Sequence, residues 1–234
     1  MEALKLLSAY SFPPNSRKYC GPECDSMLLE ALQGKQADET ALKNAFKKFE
    51  AMFPYLELIA KANNKGPFDL EIAQAYWEGN SLLENVKLPE WKETAKVLAK
   101  NSEWPAKIAE KYSANISPEL VPHHSFHVLN SFSNTIEDQK AMLERVNNCI
   151  ISWGRVLKSD SGELTVVKKP VILNAGHFEL GELEVCIVKN QWVSCERNDF
   201  VSMHWGFACR KLSPEELANL EKYTLQNLRN FTLL

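Results

Sequence analysis

The spacing of apolar residues changes character near residue 148. Before that point it is helical. Leu4, Leu6, Leu7 and Tyr10 give a short opening helix. Pro13-Pro14-Asn15 stops it, because proline lacks the N–H that continues a helix. A second helix runs from Asp25 to Leu32, with Gly34 as its cap. Leu42, Ala45, Phe46, Phe49 and Met52 mark one face of a helix over 38–53, interrupted by Pro54. Leu70, Ile72, Ala73, Tyr76 and Trp77 mark another over 69–77, closed by Gly79-Asn80. Further helices are predicted over 55–62, 89–100, 104–113 and from Thr135 onward, the last with Glu137 and Asp138 in its first turn. Residues 1–146 read as an all-α domain.

From Cys149 the period shortens to two. Strand-like runs cover 149–157, 164–167, 171–173, 183–188, 192–195 and 198–208, with a turn at Ser159-Asp160-Ser161-Gly162. Short strands at this spacing suggest a small barrel. In the final run Val201, Met203, Trp205 and Phe207 alternate with Phe200, Ser202 and His204, which sends His204 toward a surface or a second layer. Ser213-Pro214-Glu215-Glu216 is a capping box with proline at the first helical position. Leu217, Leu220, Tyr223, Thr224 and Leu228 supply the buried face of that last helix. The whole is α+β: an all-α domain over 1–146, then a small barrel with a C-terminal helix over 147–234.

Composition narrows the function classes. Hydrophobic residues make up 45% and charged residues 24% of the 234, enough for a sizeable core. A formal charge of -3 and the lack of a basic stripe disfavour nucleic-acid binding. No run approaches the roughly 18 apolar residues of a membrane span, and no basic stretch precedes a long apolar one at the start, so the chain is expected to be cytoplasmic. Its six cysteines form no pair of C-x-x-C clips and are expected as reduced thiols.

Candidate chemistry sits at three places. Cys20, in Cys20-Gly21-Pro22-Glu23-Cys24, lies just before a predicted helix, where free N–H groups favour a thiolate; the same pattern suits two small half-buried residues. In Pro122-His123-His124-Ser125-Phe126-His127, a helix would put His123 and His127 on one face as the seed of a transition-metal site, whereas a polar turn before a β-run would not. A metal enzyme built there would add a carboxylate such as Glu57 or Glu71, with the barrel as a docking module. The third place is the barrel, where Cys149 and His204 lie in apolar, glycine-marked segments. Trp205 and Phe207 are assigned to the core, and Cys186, Cys195 and Cys209 to structural roles.

Cys149-Ile-Ile-Ser-Trp-Gly-Arg-Val156, Asn198-Asp-Phe-Val-Ser-Met-His-Trp-Gly-Phe-Ala208 and the following Leu212-Ser-Pro-Glu-Glu-Leu217 resemble, in that order, the motifs of the HypC/HupF/HybG family of nickel–iron hydrogenase assembly chaperones. The resemblance covers about residues 148–230. It implies an OB-like barrel that carries iron bearing cyanide and carbon monoxide ligands, an Fe(CN)2CO unit, to a hydrogenase large subunit in company with other maturation proteins. The family's cysteine falls on Cys149 and its histidine on His204, the implied iron ligands. Cys149 follows a helical segment where the family cysteine is near the N-terminus, and Trp153 replaces a family proline. Cys20, His123, His124 and His127 are expected to fold over the barrel and complete the metal site.

Overall fold

A computed structural model describes residues 1–35 and 37–233. Among the described residues, ten α-helices and seven strands follow one another in an α+β order. The helices are α1 (Glu2–Asn15), α2 (Asp25–Leu32), α3 (Glu39–Phe46), α4 (Met52–Ala62), α5 (Leu70–Trp77), α6 (Leu88–Asn101), α7 (Ala106–Ala114), α8 (His124–Thr135), α9 (Gln139–Cys149) and the closing α10 (Pro214–Asn230). A 3-10 turn over Ser81–Asn85 links α5 to α6.

Several boundaries differ from the sequence expectation, each for a local reason. α1 runs through Pro13 and Pro14 instead of stopping before them. The carbonyl that Pro14 leaves free, that of Tyr10, finds another partner, as described below. The break expected at Pro54 falls earlier, over residues 47–51, and Pro54 sits in the first turn of α4, where a missing N–H costs little. Thr135 ends α8 rather than starting α9. The cap of α9 is Asp138, whose side chain accepts from the Ala141 N–H.

The strands are β1 (Ser152–Asp160), β2 (Glu163–Lys168), β3 (Val171–Asn174), β4 (His177–Leu180), β5 (Glu184–Lys189), β6 (Phe200–His204) and β7 (Phe207–Leu212). Five of them close a barrel in the order β1-β2-β5-β7-β6, and β3 with β4 forms a separate hairpin. The segment 192–195 is not a strand. The run 198–208 is not one strand but the hairpin β6–β7, in which Ser202 pairs with Arg210 and His204 with Phe207. Trp205 and Gly206 form its two-residue turn, both with positive φ (49° and 74°), which hairpin twist requires and which glycine supplies without strain. The barrel interior is filled by Val156, Leu164, Val166, Val188, Val201, Met203 and Ala208.

A second, larger core is continuous from Leu4 in α1, through the helices, to Phe207 and Leu212 on β7 and Phe231 after α10. α10 carries the expected capping box at Ser213 and Glu216. Its Asn227 clamps the 121–125 segment: Oδ1 accepts from the Val121 N–H (3.0 Å), while Nδ2 donates to Ser125 Oγ (2.9 Å). Between α5 and β7, the buried Glu78 carboxylate accepts from Tyr10 Oη (2.6 Å) and from Arg210 Nη1 (2.7 Å to Oε2). The outer face of β6 is thereby held against α1, with Tyr10 Oη also 2.8 Å from Ser202 Oγ.

Candidate metal centre

The alternation of β6 places Val201 and Met203 inside the barrel and Ser202 and His204 outside it. The second layer expected beyond His204 is α1, and it buries the imidazole to 2% exposure. Pro14 has no N–H to offer the carbonyl four residues before it, that of Tyr10. His204 Nδ1 occupies the vacancy, donating to Tyr10 O at 2.6 Å. A carbonyl only accepts, so this bond places the ring proton on Nδ1 and leaves Nε2 as a lone pair. His204 Nε2 is buried and has no hydrogen-bond partner.

Cys149 is the last residue of α9, not part of β1 as the motif suggested. Ile150 and Ile151 separate it from the strand, so the thiol sits at the joint between helices and barrel. That joint is pinned by Trp205 N–H donating to Asn148 O (2.8 Å), which ties the hairpin turn after His204 to the residue before Cys149. His124, in the first turn of α8, completes the group. Its Nε2 donates to Cys149 O (3.0 Å), and its Nδ1 faces Tyr76 Oη (3.1 Å). Ligand atoms of His124, Cys149 and His204 all lie within 4.8 Å of one another.

The electrostatics suit neutral donors. Burial holds the His204 imidazole down to about 4. Burial, then the neighbouring His204 and His127 rings, keep His124 well below its usual value. Both are therefore free bases at neutral pH. Burial, followed by the nearby Cys20, pushes the Cys149 thiol up to about 12. The Trp205 indole N–H acts in the opposite sense: it falls short of a hydrogen bond to the sulfur and has no other partner, yet lies close enough to favour a thiolate. Two imidazoles and a thiol suit a borderline transition metal such as iron or zinc. Each imidazole gives one ring N–H to a main-chain carbonyl, the second-shell arrangement that orients metal-binding histidines; this leaves His204 Nε2 without a partner, whereas His124 Nδ1 accepts from the Tyr76 hydroxyl, which a metal there would displace.

The other sequence candidates are placed as follows. His123 is the N-cap of α8, not a partner of His127; its Nδ1 accepts from the Ser125 N–H, and it is not among the clustered ligand atoms. His127 lies one turn after His124 and lines the same cavity, its Nδ1 2.9 Å from Tyr112 Oη, which is 2.7 Å from Tyr55 Oη. Cys20 lines that cavity too, but in the 16–24 segment before α2 rather than at a helix start. Burial pushes its thiol up to about 12, opposite to the lowering expected at a helix N-terminus. Glu57 and Glu71 are both exposed, Glu71 paired with Lys65, and neither joins the cluster.

The cavity measures about 770 Å³ and opens beside His124, Cys149 and His204. Tyr19 covers part of it, stacked on Trp205 at 4.3 Å with the Arg145 guanidinium 4.4 Å from its ring centre. The i, i+4 spacing points to His123 and His127 and not to His124. The signal for His124 was present in phase: 124, 127, 128 and 131 share a helical face once α8 starts at 124.

Fold and site together define an α+β chain in which a small barrel and a helical layer share one thiol–bis-imidazole cluster, its imidazoles buried and its thiol half-buried. The chain belongs to a family of unknown function, DUF6390, which it matches over residues 2–232, so the match spans both the helical part and the barrel. No curated protein and no solved structure matches the chain. Among the described residues no helix is long and apolar enough to cross a membrane.

Proposed function

We propose that this protein is a metal-handling assembly factor that holds iron through Cys149, His204 and His124 and delivers it to a metalloenzyme. The observation that carries the reading is the convergence of those three side chains at the joint between barrel and helices. Cys149 and His204 are the two positions that the resemblance to hydrogenase assembly chaperones singles out, and they come from motifs 55 residues apart. The unpartnered His204 Nε2 supports the fit to a metal, since a buried acceptor without a partner is costly unless something binds it. The barrel supports it as well: its third and fifth strands run parallel and close a five-stranded Greek-key arrangement of the OB type. In this reading the cargo is iron with cyanide and carbon monoxide ligands, the recipient is the large subunit of a nickel–iron hydrogenase, and the helical part supplies His124 as a further ligand.

Infrared spectroscopy on protein purified anaerobically from cells expressing hydrogenase genes tests the proposal. Cyanide and carbonyl stretching bands that disappear in Cys149→Ala support it. Protein without iron and without a Cys149-dependent partner complex contradicts it.

A second reading, a metal-dependent enzyme, is favoured by the cavity of about 770 Å³ beside the cluster and by the His127–Tyr112–Tyr55 chain of hydroxyl contacts reaching it. Such a chain suits proton movement to a bound substrate. The two readings part on the fate of the metal: an assembly factor surrenders iron to an apo large subunit, while an enzyme retains it through turnover.

A further inference from the structure

Three ligand atoms converge from α8, α9 and β6, which leaves a four-coordinate ion one donor short. The face of the cluster that is not protein backbone opens on the cavity. Among the cavity's polar side chains, His127 is already engaged by Tyr112 and Ser131, and Glu50 is exposed. Two soft donors remain, Met52 and Cys20; the Met52 thioether accepts from Ser11 Oγ (3.7 Å), and only Cys20 can supply a thiolate. It lines the same cavity as Cys149, but is not among the atoms within 4.8 Å of one another.

We infer that Cys20 is the fourth ligand of the centre, carried on a lid formed by residues 16–24 that closes over a metal bound to His124, Cys149 and His204. The inference rests on the metal-handling reading above and adds a second thiolate to it. Two observations support it independently. His204 Nε2 is an unpartnered acceptor in a residue 2% exposed, lining the cavity that Cys20 also lines. The lid is also attached to the cluster's own supports: Tyr19, next to Cys20, stacks on Trp205, which follows His204.

The backbone of the lid is held in place where Cys20 lines the cavity. Asn15 Nδ2 donates to the carbonyls of Cys20 (2.7 Å) and Pro22 (2.6 Å), tying both to the end of α1. Gly21 has φ +79°, and a Cβ there would stand 2.3 Å from the Phe49 ring, so only glycine fits beside that ring in this conformation. On ligation each thiol gives its proton to solvent, and two thiolates with two neutral imidazoles make a tetrahedral S2N2 set suited to zinc or ferrous iron.

Such a set makes the lid a means of capture and release. With Cys20 bound the ion is enclosed by four protein donors. With Cys20 withdrawn, one position faces the cavity, where a partner's donor or a small ligand can enter.

Cobalt(II) alone, titrated anaerobically into the full chain, reads the number of thiolates from the near-ultraviolet sulfur-to-cobalt charge-transfer band. The wild type is expected to show two-thiolate intensity. Cys20→Ser is expected to fall to about half that intensity and to bind at least about tenfold more weakly. Cys24→Ser removes a neighbouring thiol that contacts Asn15 instead of the cavity and is expected to match the wild type. Wild-type intensity in Cys20→Ser, with loss in Cys149→Ser, overturns the inference and spares the metal-handling reading. Equal losses in Cys20→Ser and Cys24→Ser also overturn it, since the effect is then one of lid packing. Full intensity in both Cys20→Ser and Cys149→Ser overturns both readings.

Discussion

His204 and Tyr10, separated by 194 residues, are joined by a 2.6 Å hydrogen bond from an imidazole Nδ1 to a main-chain carbonyl. The carbonyl is available because Pro14 has no N–H to give it, so a helix defect sets the tautomer of a ring on the barrel. Replacing Pro14 with alanine restores a competing donor. Metal affinity is expected to fall about tenfold, as for other losses of an orienting partner. An anaerobic cobalt titration checks this, and unchanged affinity in Pro14→Ala contradicts the link.

The buried rings predict acid sensitivity in the metal-free protein. His204 and His127 are held down to about 4 and His123 to about 3, all by burial, against an ordinary value of 6.5. A base whose folded value is depressed binds its proton more readily in the unfolded chain, so its contribution is complete above pH 6.5 and is lost as pH falls toward 4. At the other end, Cys20 and Cys149 are raised from 9.0 to about 12, so the unfolded chain loses those protons first and stability declines above pH 9. The melting temperature is therefore expected to be highest between about pH 6.5 and 9 and to drop on both sides. A melting temperature constant from pH 7 to pH 5 would refute the burial of these rings.

Affinity for a metal should depend on pH through the thiols alone, because the imidazoles are already free bases at neutrality. Each thiol proton released steepens the dependence by about tenfold per pH unit. Between pH 6 and 8 the slope distinguishes one thiolate ligand from two. With Cys20 closing the site, the wild type is expected near a slope of two, and Cys20→Ser near one.

Glu78 joins three elements: Tyr10 on α1, Arg210 on β7 and, through Arg210, Glu216 on α10. Burial raises its carboxyl while Arg210 and the Tyr10 hydroxyl pull it down, with burial the larger effect. Removing Glu78 leaves Arg210 partly buried without its main partner. Glu78→Ala is expected to cost about 3 kcal/mol, read as a lower urea midpoint. A midpoint within error of the wild type would show that the network carries no stability.

The barrel was legible in the sequence because a half-buried strand must alternate, and Val201, Met203, Ser202 and His204 obey that rule. The C-terminal helix was legible because Ser213 and Glu216 satisfy each other's backbone at the spacing a capping box needs. Other features were hidden by tertiary partners. Pro13 and Pro14 read as a stop, yet the helix passes through them because His204 satisfies the carbonyl that Pro14 leaves free. Trp205-Gly206 lacks the Asn-Gly character of a common hairpin turn, so β6 and β7 read as one strand. His123 looked like a ligand by spacing, but a residue after proline at a helix start is drawn into capping, and that duty removed it and left His124 facing Cys149. Glu78, between Trp77 and Gly79, carries no local sign that its partner lies 132 residues away.

The central claim is that His124, Cys149 and His204 bind one metal ion together. Anaerobic equilibrium dialysis against ferrous iron tests it most directly, with the wild type beside His124→Ala, Cys149→Ser and His204→Ala. The account predicts one tightly held iron per wild-type chain and its loss in every variant. Wild-type iron content in the His204→Ala and Cys149→Ser chains would contradict it.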